Sequence, residues 1–223
     1  MTADSAPLGV LLAGPTARFA SLPDAALTEH ERSRAAALRR PGDRADFIAA
    51  HLLARQCAAT VLDAAADSLT LTQQCAECGE PGHGRPAIAE APGLHVTLSH
   101  TRGYVAAAAD TAAVAVDVER VLDRDSPERL DGLAASVLTP AERHLVRTAH
   151  HPERTFAELW VRKEALIKLD QADLDTLTSI DVSAALPTAT TYRDFAVVGW
   201  TDQSSSVLGA LIARRPPRLT DLR

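Results

Sequence analysis

Residues 94–119, LHVTLSHTRGYVAAAADTAAVAVDVE, determine the fold predicted for this chain. Apolar residues alternate with polar or small ones in three segments, Leu94–Ser99, Tyr104–Ala109 and Ala113–Glu119. Short turns around Thr101-Arg102-Gly103 and Asp110-Thr111 separate them. Alternation with a period of two, broken by glycine and aspartate turns, is typical of adjacent β-strands. We therefore expect a sheet at the centre of the chain.

Helices are predicted on both sides of this stretch. Apolar spacing of three and four residues, with threonine or proline at the start, predicts helices over 28–38, 42–62, 127–138 and 152–169 and a further helix from Thr139. Further strands are expected over 8–13, 69–72, 180–182, 195–200 and 207–213, and a loop over 75–86. Strands mixed with helices in both halves predict an α+β fold.

Two long helices share a weak pattern. Arg44, Phe47 and Arg55 lie in one, and Arg154, Phe156 and Lys163 lie in the other. Internal duplication explains this pattern, and chance similarity between two amphipathic helices explains it equally well.

Composition excludes several classes of protein. The 223 residues carry a net charge of −6, with 46% hydrophobic residues, so no overall positive field exists to attract nucleic acid or an anionic membrane. The absence of a signal-peptide pattern predicts a cytoplasmic protein. Its three cysteines, Cys57, Cys75 and Cys78, are expected to be reduced thiols. A zinc site of Cys75, Cys78 and His83 is the alternative for the loop.

Two carboxylates are predicted to share one face of the third strand. In Val116-Asp117-Val118-Glu119, alternation buries the valines and places both acids opposite them, roughly 6.6 Å apart. Like charges held together favour a cation between them, and an all-oxygen site favours Mg²⁺, with Mn²⁺ possible. A solvent-facing edge strand is the alternative explanation.

The helix over 152–169 adds three aligned side chains. Trp160, Glu164 and Lys168 are four residues apart and therefore lie on one helix face. Glu164 can supply a third carboxylate, and Lys168 can neutralise a phosphate. An exposed Glu164–Lys168 pair of the ordinary helical kind explains the same spacing.

Taken together, Val116-Asp117-Val118-Glu119 and Trp160-Val161-Arg162-Lys163-Glu164-Ala165 resemble the paired motifs of 4′-phosphopantetheinyl transferases, (I/V)-(G/A)-(I/V)-D-(I/V)-E and W-x-x-K-E-A. Three further segments agree in order: Gly84-Arg85-Pro86, Leu98-Ser99-His100-Thr101 and Leu138-Thr139-Pro140-Ala141-Glu142. The resemblance spans about residues 40 to 170 and is closest to the larger, monomeric class, the surfactin-synthetase-activating type.

This resemblance implies a pseudo-twofold pair of similar α/β halves, residues 1–105 and 106–223, with coenzyme A in the cleft between them. It implies an enzyme that transfers 4′-phosphopantetheine from coenzyme A to a serine hydroxyl of an acyl- or peptidyl-carrier protein and releases adenosine 3′,5′-bisphosphate. The carrier protein is expected to dock on apolar residues near Leu133 to Leu145.

The resemblance also implies roles for individual residues. Asp117, Glu119 and Glu164 are expected to bind Mg²⁺, and Glu164 and Lys168 to be catalytic. Coenzyme A is expected to contact a set spread over both halves, namely Arg44, Arg85, Pro86, Ser99, His100, Lys163 and Lys168. His51 stands where many relatives carry a second arginine, which would weaken the 3′-phosphate site or make it sensitive to pH.

Two other functions agree with part of the pattern. One is a coenzyme A-binding protein without transfer activity, and the other is a Mg²⁺-dependent phosphohydrolase. The acids and lysines at the motif positions favour transfer over the first. The second calls for more carboxylates or a histidine-rich metal cluster than the sequence contains.

Overall fold

The computed structural model of the protein describes residues 9–75, 78–82, 84–121, 127–186, 189–216 and 218–219. Within these residues the helices are α1 (Glu29–Ala37), α2 (Pro41–Leu62), α3 (Pro127–Val137), α4 (Pro140–Thr148) and α5 (Pro152–Lys168). The strands are β1 (Val10–Pro15), β2 (Leu71–Gln74), β3 (Arg85–Ile88), β4 (His95–Thr101), β5 (Tyr104–Asp110), β6 (Val114–Arg120), β7 (Ala189–Tyr192), β8 (Phe195–Asp202), β9 (Val207–Ala213) and β10 (Arg218–Leu219). The α+β prediction is confirmed.

Two four-stranded sheets form the centre of the molecule. The first has the order β10-β1-β5-β4 and the second the order β6-β9-β8-β7. All neighbouring strands are antiparallel except β10, which runs parallel to β1. Strands β2 and β3 form a separate hairpin. The predicted division between residues 105 and 106 falls inside β5, and the change from the first sheet to the second falls between β5 and β6.

Each sheet packs against a helix on one face and against the other sheet on the opposite face. Val105, Ala107 and Ala109 of β5 belong to the core beneath α2, whereas Ala106 and Ala108 belong to the core between the sheets. A second helix-covered core lies beneath α5. The core between the sheets combines these alanines with larger side chains, among them Leu11, Tyr104 and Leu211.

A buried glutamate joins α1 to α2. Thr28 and Glu31 form a capping box at the start of α1, as the sequence predicted. The Glu31 carboxylate accepts hydrogen bonds from both terminal nitrogens of Arg55, at 2.9 and 2.6 Å. The Arg55 side chain is completely buried and also donates to the Leu69 carbonyl. Arg55 therefore bonds both the start of α1 and the segment before β2.

The same arrangement joins α4 to α5. Thr139 and Glu142 form a capping box at the start of α4, and Glu142 Oε2 lies 2.9 Å from Lys163 Nζ with both side chains fully buried. Lys163 also donates to the carbonyls of Leu177 and Ile180, at 2.7 and 2.5 Å. A buried ion pair with its remaining hydrogen bonds satisfied fixes α5 relative to α4.

The predicted strand over 180–182 is wrong. Short 3₁₀ helices, Leu177–Ser179 and Ser183–Ala185, flank this segment. The Val182 amide donates to Glu142 Oε1 at 2.8 Å, so a helix cap takes the bond that a neighbouring strand would have taken. Short apolar runs do not distinguish strands from other buried segments. Strand β3, which begins at the end of the predicted loop, and strands β7 and β10 were missed.

Removal of the buried Lys163 charge should destabilise the fold. Lys163→Met leaves Glu142 without its cation, and loss of one partner of a buried pair costs about 3 to 5 kcal/mol of unfolding free energy, measurable by urea denaturation. The control is Arg154→Met, since the Arg154–Glu158 pair is partly exposed and such pairs contribute about 1 kcal/mol or less. Equal losses for the two variants would contradict this role of Lys163.

Candidate functional site

The site lies where strand β4 of the first sheet meets strand β6 of the second. Side-chain hydroxyls at alternating positions of β4 accept hydrogen bonds from the β6 backbone. The Val116 amide donates to Thr97 Oγ1 at 3.2 Å, and the Val118 amide donates to Ser99 Oγ at 3.3 Å. Because side chains alternate along a strand, these hydroxyls form one row along the junction of the two sheets, which we call the β4–β6 seam.

The two strand carboxylates are bound to this row of hydroxyls. Ser99 Oγ donates to Asp117 Oδ1 at 2.7 Å, and Thr101 Oγ1 donates to Glu119 Oε1 at 2.9 Å. Asp117 is only 6% exposed. The alternative of a solvent-facing edge strand is therefore wrong for Asp117, and the acids face an interior junction.

Lys168 lies at the same junction. Its Nζ donates to Asp117 Oδ1 at 2.8 Å, to the Val116 carbonyl at 3.0 Å and to the Leu98 carbonyl at 3.4 Å. The ammonium group thus contacts both strands of the β4–β6 seam. The alternative of an exposed Glu164–Lys168 pair is not observed, because the carboxylate bound by Lys168 is that of Asp117.

Glu164 lies one helical turn before Lys168 and interacts electrostatically with both strand acids. Desolvation by burial raises the pKa of the Glu164 carboxyl, and the charges of Asp117 and Glu119 raise it further, while Lys168 lowers it. Ionised Glu164 is therefore disfavoured by its surroundings. A cation at this position would relieve that cost.

The donor set fits a hard divalent cation in its chemistry. Asp117, Glu119 and Glu164 offer oxygen atoms alone, which Mg²⁺ prefers, and the raised pKa of Glu164 shows that the three carboxyls interact. Among the described residues, however, no group of three acidic, histidine or cysteine side chains is arranged so that it could hold a metal ion. Asp117 Oδ1 is instead bonded to Ser99 and Lys168. A metal ion that used Asp117 Oδ1 would compete with these two partners.

Other predicted residues lie around this junction. His100 follows Ser99 on β4 and is exposed, yet the surrounding protein desolvates its ring and lowers its pKa. Arg85 begins β3, followed by Pro86, and forms an ion pair with Asp170 just beyond the end of α5. The ion pair brings Arg85 close to the α5 terminus that carries Lys168.

Arg44 contacts the end of α1. Its Nε donates to the Ala35 carbonyl at 3.0 Å, and its Nη2 donates to the carbonyls of Ala36 and Leu38, at 3.3 and 3.1 Å. A cation at these final carbonyls satisfies groups that the helix itself leaves unpaired. The expected contact of Arg44 with coenzyme A stays a prediction.

Two sequence-based expectations need correction. Lys163 does not reach the phosphate site, because it is fully buried and bound to Glu142 and two carbonyls. His51 does not provide a pH-sensitive phosphate contact, because it is buried and both ring nitrogens are engaged, by the Phe47 carbonyl and Gln73. Burial also lowers the pKa of His51.

The zinc alternative receives no support from the described residues. Cys57, Cys75 and Cys78 all lie in the described part of the chain and form no disulfide. Burial strongly raises the pKa of the Cys57 thiol, which makes it unreactive. His83, the third expected ligand, lies outside the described residues.

Sequence reasoning missed several polar residues of the site region. Thr97 and Thr101 support the carboxylate strand, and Asp46 accepts a hydrogen bond from the turn between β4 and β5. Alternating hydroxyls in Thr97-Leu98-Ser99-His100-Thr101 were the available signal for the first two. No comparable signal identified Asp46, because an acid on a helix usually faces solvent.

The described residues also line two cavities of interest. The larger, of about 780 Å³, lies between α2 and the segment after β1 and is lined by Phe19, Ile48 and Asp46 among others. Its lining does not include Asp117, Glu119 or Glu164. The smaller, of about 220 Å³, is bordered by Glu119, Leu133, Phe156 and Trp160, so an apolar cleft begins beside a predicted metal ligand.

An oxygen-rich anionic site with an adjacent lysine has the chemistry expected of proteins that bind a divalent metal ion and phosphate. Comparison with known proteins gives the particular family: residues 113–209 match the model of the 4′-phosphopantetheinyl transferase superfamily. This match confirms the resemblance predicted from the motifs. Asp117, Glu119, Glu164 and Lys168 lie inside the matched segment, while Arg44, Arg85, Ser99 and His100 lie outside it.

Two curated relatives agree with the family match. The chain is 36% identical over 93 residues to the 4′-phosphopantetheinyl transferase psf-1 of Bacillus pumilus, which covers 40% of this chain and 36% of that protein. It is 28% identical over 92 residues to a 4′-phosphopantetheinyl transferase of Bacillus subtilis, covering 40% and 39% respectively. The chain thus matches well under half of each relative's length.

A Glu164→Gln substitution should change both stability and the response to Mg²⁺. Because the pKa of Glu164 is raised in the folded protein, the folded state loses stability as the pH rises above the unfolded-state pKa of the carboxyl, and this cost is present at neutral pH. Without metal, the variant should melt about 2 °C higher than the parent, within the range expected for a change of this kind. Added Mg²⁺ should raise the melting temperature of the parent more than that of the variant.

The control for this thermal measurement is Glu158→Gln, on the same helix and paired with Arg154. Its response to Mg²⁺ should equal that of the parent. Identical Mg²⁺ shifts in all three proteins would show that Glu164 is not a metal ligand.

Proposed function

We propose that this protein is a phosphopantetheinyl transferase of the larger, monomeric class. It would transfer 4′-phosphopantetheine from coenzyme A to a serine hydroxyl of an acyl- or peptidyl-carrier protein and release adenosine 3′,5′-bisphosphate. The observation that carries this proposal is the convergence of Asp117, Glu164 and Lys168 inside the segment that matches the family. We further propose that the reaction takes place in the cytoplasm.

The chemistry requires a positioned hydroxyl, a proton acceptor and neutralised phosphate oxygens. Asp117, Glu119 and Glu164 would hold Mg²⁺, which neutralises charge on the pyrophosphate. Glu164 accepts the proton of the carrier serine, and a raised carboxyl pKa suits a general base. The serine oxygen forms a bond to the β-phosphorus as the pyrophosphate P–O bond breaks.

Other residues hold the substrate and stabilise the departing phosphate. Lys168, once released from Asp117, offsets negative charge on the leaving group. Ser99 and His100 bind phosphate of the nucleotide portion. Arg85 and Pro86, near the end of α5, contact the adenosine, and Arg44 contacts the 3′-phosphate end.

The two halves would be related by an approximate twofold axis, with the site in the cleft between them. Support comes from equivalent bonds: Glu31 caps α1 and binds Arg55, and Glu142 caps α4 and binds Lys163. Strand order β1-β5-β4 in one sheet also corresponds to β6-β9-β8 in the other. The sheet boundaries suggest halves that divide near residue 112 rather than 105.

A transfer assay tests the proposed reaction. The protein is incubated with Mg²⁺, coenzyme A and an apo carrier domain, and the carrier is weighed by mass spectrometry. We expect a gain of one phosphopantetheine group, and a loss of at least about 100-fold in rate for Glu164→Gln, the usual range for a general base. Glu158→Gln should retain the parent rate. No mass gain with any of several carriers would refute the transferase proposal.

The carrier protein would dock beside the apolar cleft next to Glu119. Leu133 on α3 and Leu145 on α4 are each 38% exposed, and Leu133 lines the cleft together with Phe156 and Trp160. Large exposed apolar side chains beside a site indicate a binding surface. The cleft would also receive the pantetheine arm, which extends from the β-phosphate away from the metal ligands.

A charge placed on this surface should weaken binding of the carrier protein and leave binding of coenzyme A unchanged. Leu133→Asp should raise the KM for the carrier about tenfold, as expected for the loss of an interface residue contributing roughly 1.4 kcal/mol. The matched control is Leu174→Asp, since Leu174 is 65% exposed and lies outside the cleft. If both variants change the carrier KM equally, the carrier does not dock on the surface around Leu133.

A further inference from the structure

Asp46 is a buried acid in an unusual position on α2. It is only 3% exposed, although acids this close to a helix start ordinarily face water. Thr16 Oγ1 donates to Asp46 Oδ1 at 2.5 Å, and the Gly103 amide donates to Asp46 Oδ2 at 3.0 Å. The carboxylate thus joins α2 to the segment after β1 and to the turn between β4 and β5.

That turn sits at the end of the strand that carries His100. Thr101 pairs with Tyr104, so Arg102 and Gly103 alone form the loop. Gly103 has a φ of 75°, a conformation that favours glycine. The Thr16 amide donates to the Gly103 carbonyl at 2.9 Å. Both polar groups of the Gly103 backbone are therefore fixed by Asp46 and Thr16.

We infer that Asp46 is a positioning residue for His100: it fixes the β4–β5 turn and places a buried negative charge at the end of the strand from which His100 would face the phosphate of coenzyme A. This inference rests on the proposed function, because it takes His100 to bind phosphate.

The charges around His100 support this assignment. Desolvation lowers the pKa of His100 most, Asp46 raises it, Lys168 of α5 lowers it, and Asp43 of α2 raises it. Asp46 is therefore the strongest of the charges that favour the imidazolium. Phosphate binding should weaken as pH rises through the pKa of His100, since the neutral ring loses its charge.

A purely structural role for Asp46 predicts a different outcome. If the carboxylate only holds the turn, its replacement lowers stability without changing the titration of His100. A charge effect changes the titration even where the fold is intact. The two roles are separated by Asp46→Asn, which keeps the shape and one oxygen acceptor and removes the charge.

The experiment measures the pKa of His100 by NMR and the KM for coenzyme A across pH 5.5 to about 8.5, a range that brackets histidine titration. Asp46→Asn should lower the pKa of His100 and raise the KM about threefold to tenfold near neutral pH, which corresponds to a pKa change of up to about one unit. The kcat should stay within about twofold. Thr16→Val removes a hydrogen bond but no charge, and should leave the pKa of His100 in place.

Each outcome bears on the inference. An unchanged pKa of His100 in Asp46→Asn overturns it, and so does a lowered pKa with an unchanged KM. Asp43→Asn should give a smaller change of the same sign, and this variant supplies the test if Asp46→Asn does not fold. If the parent protein transfers nothing, calorimetric binding of coenzyme A replaces the KM, so failure of the proposed function is recognised separately.

Discussion

The contact of Lys168 with Asp117 and two strand carbonyls is the interaction on which the site depends. A lysine at the last position of α5 reaches across the second sheet to β4 of the first. Buried carboxylates close together are costly without a cation, and Lys168 supplies that charge at the β4–β6 seam. The seam itself is made by hydroxyls, whose bonds to the β6 backbone let two edge strands meet without forming a continuous sheet.

Lys168 reaches this position only if α5 keeps a fixed rotation about its own axis and a fixed height above the second sheet. Helix packing alone tolerates small shifts of both, because apolar contacts are not directional. The buried bond between Lys163 and Glu142 is directional, and it lies at the residue next to Glu164. Lys163, which is fully buried, therefore helps to determine where the neighbouring Glu164 points.

Much of this architecture was predictable from sequence. The strands around residues 94–119 and the capped helices at Thr28 and Thr139 followed from period-two alternation and capping residues, which are local signals. The prediction of a strand over 180–182 failed because the Val182 amide bonds the Glu142 side chain, 40 residues away. The carboxylates Asp117 and Glu119 were found because their alternation is visible, whereas the hydroxyl partners on β4 depend on how two sheets meet.

The two lysines of α5 are the clearest case in which the sequence does not distinguish a buried residue from a site residue. Both follow the motif tryptophan, and charge alone makes each a candidate for phosphate. Five residues of α-helix turn through about 500°, so Lys163 and Lys168 point about 140° apart and cannot serve one ligand. Which of them faces the site depends on which helix face is covered by α4. That covering is a property of the whole fold, set by a glutamate 21 positions upstream of Lys163, and no local pattern around the lysines contains it.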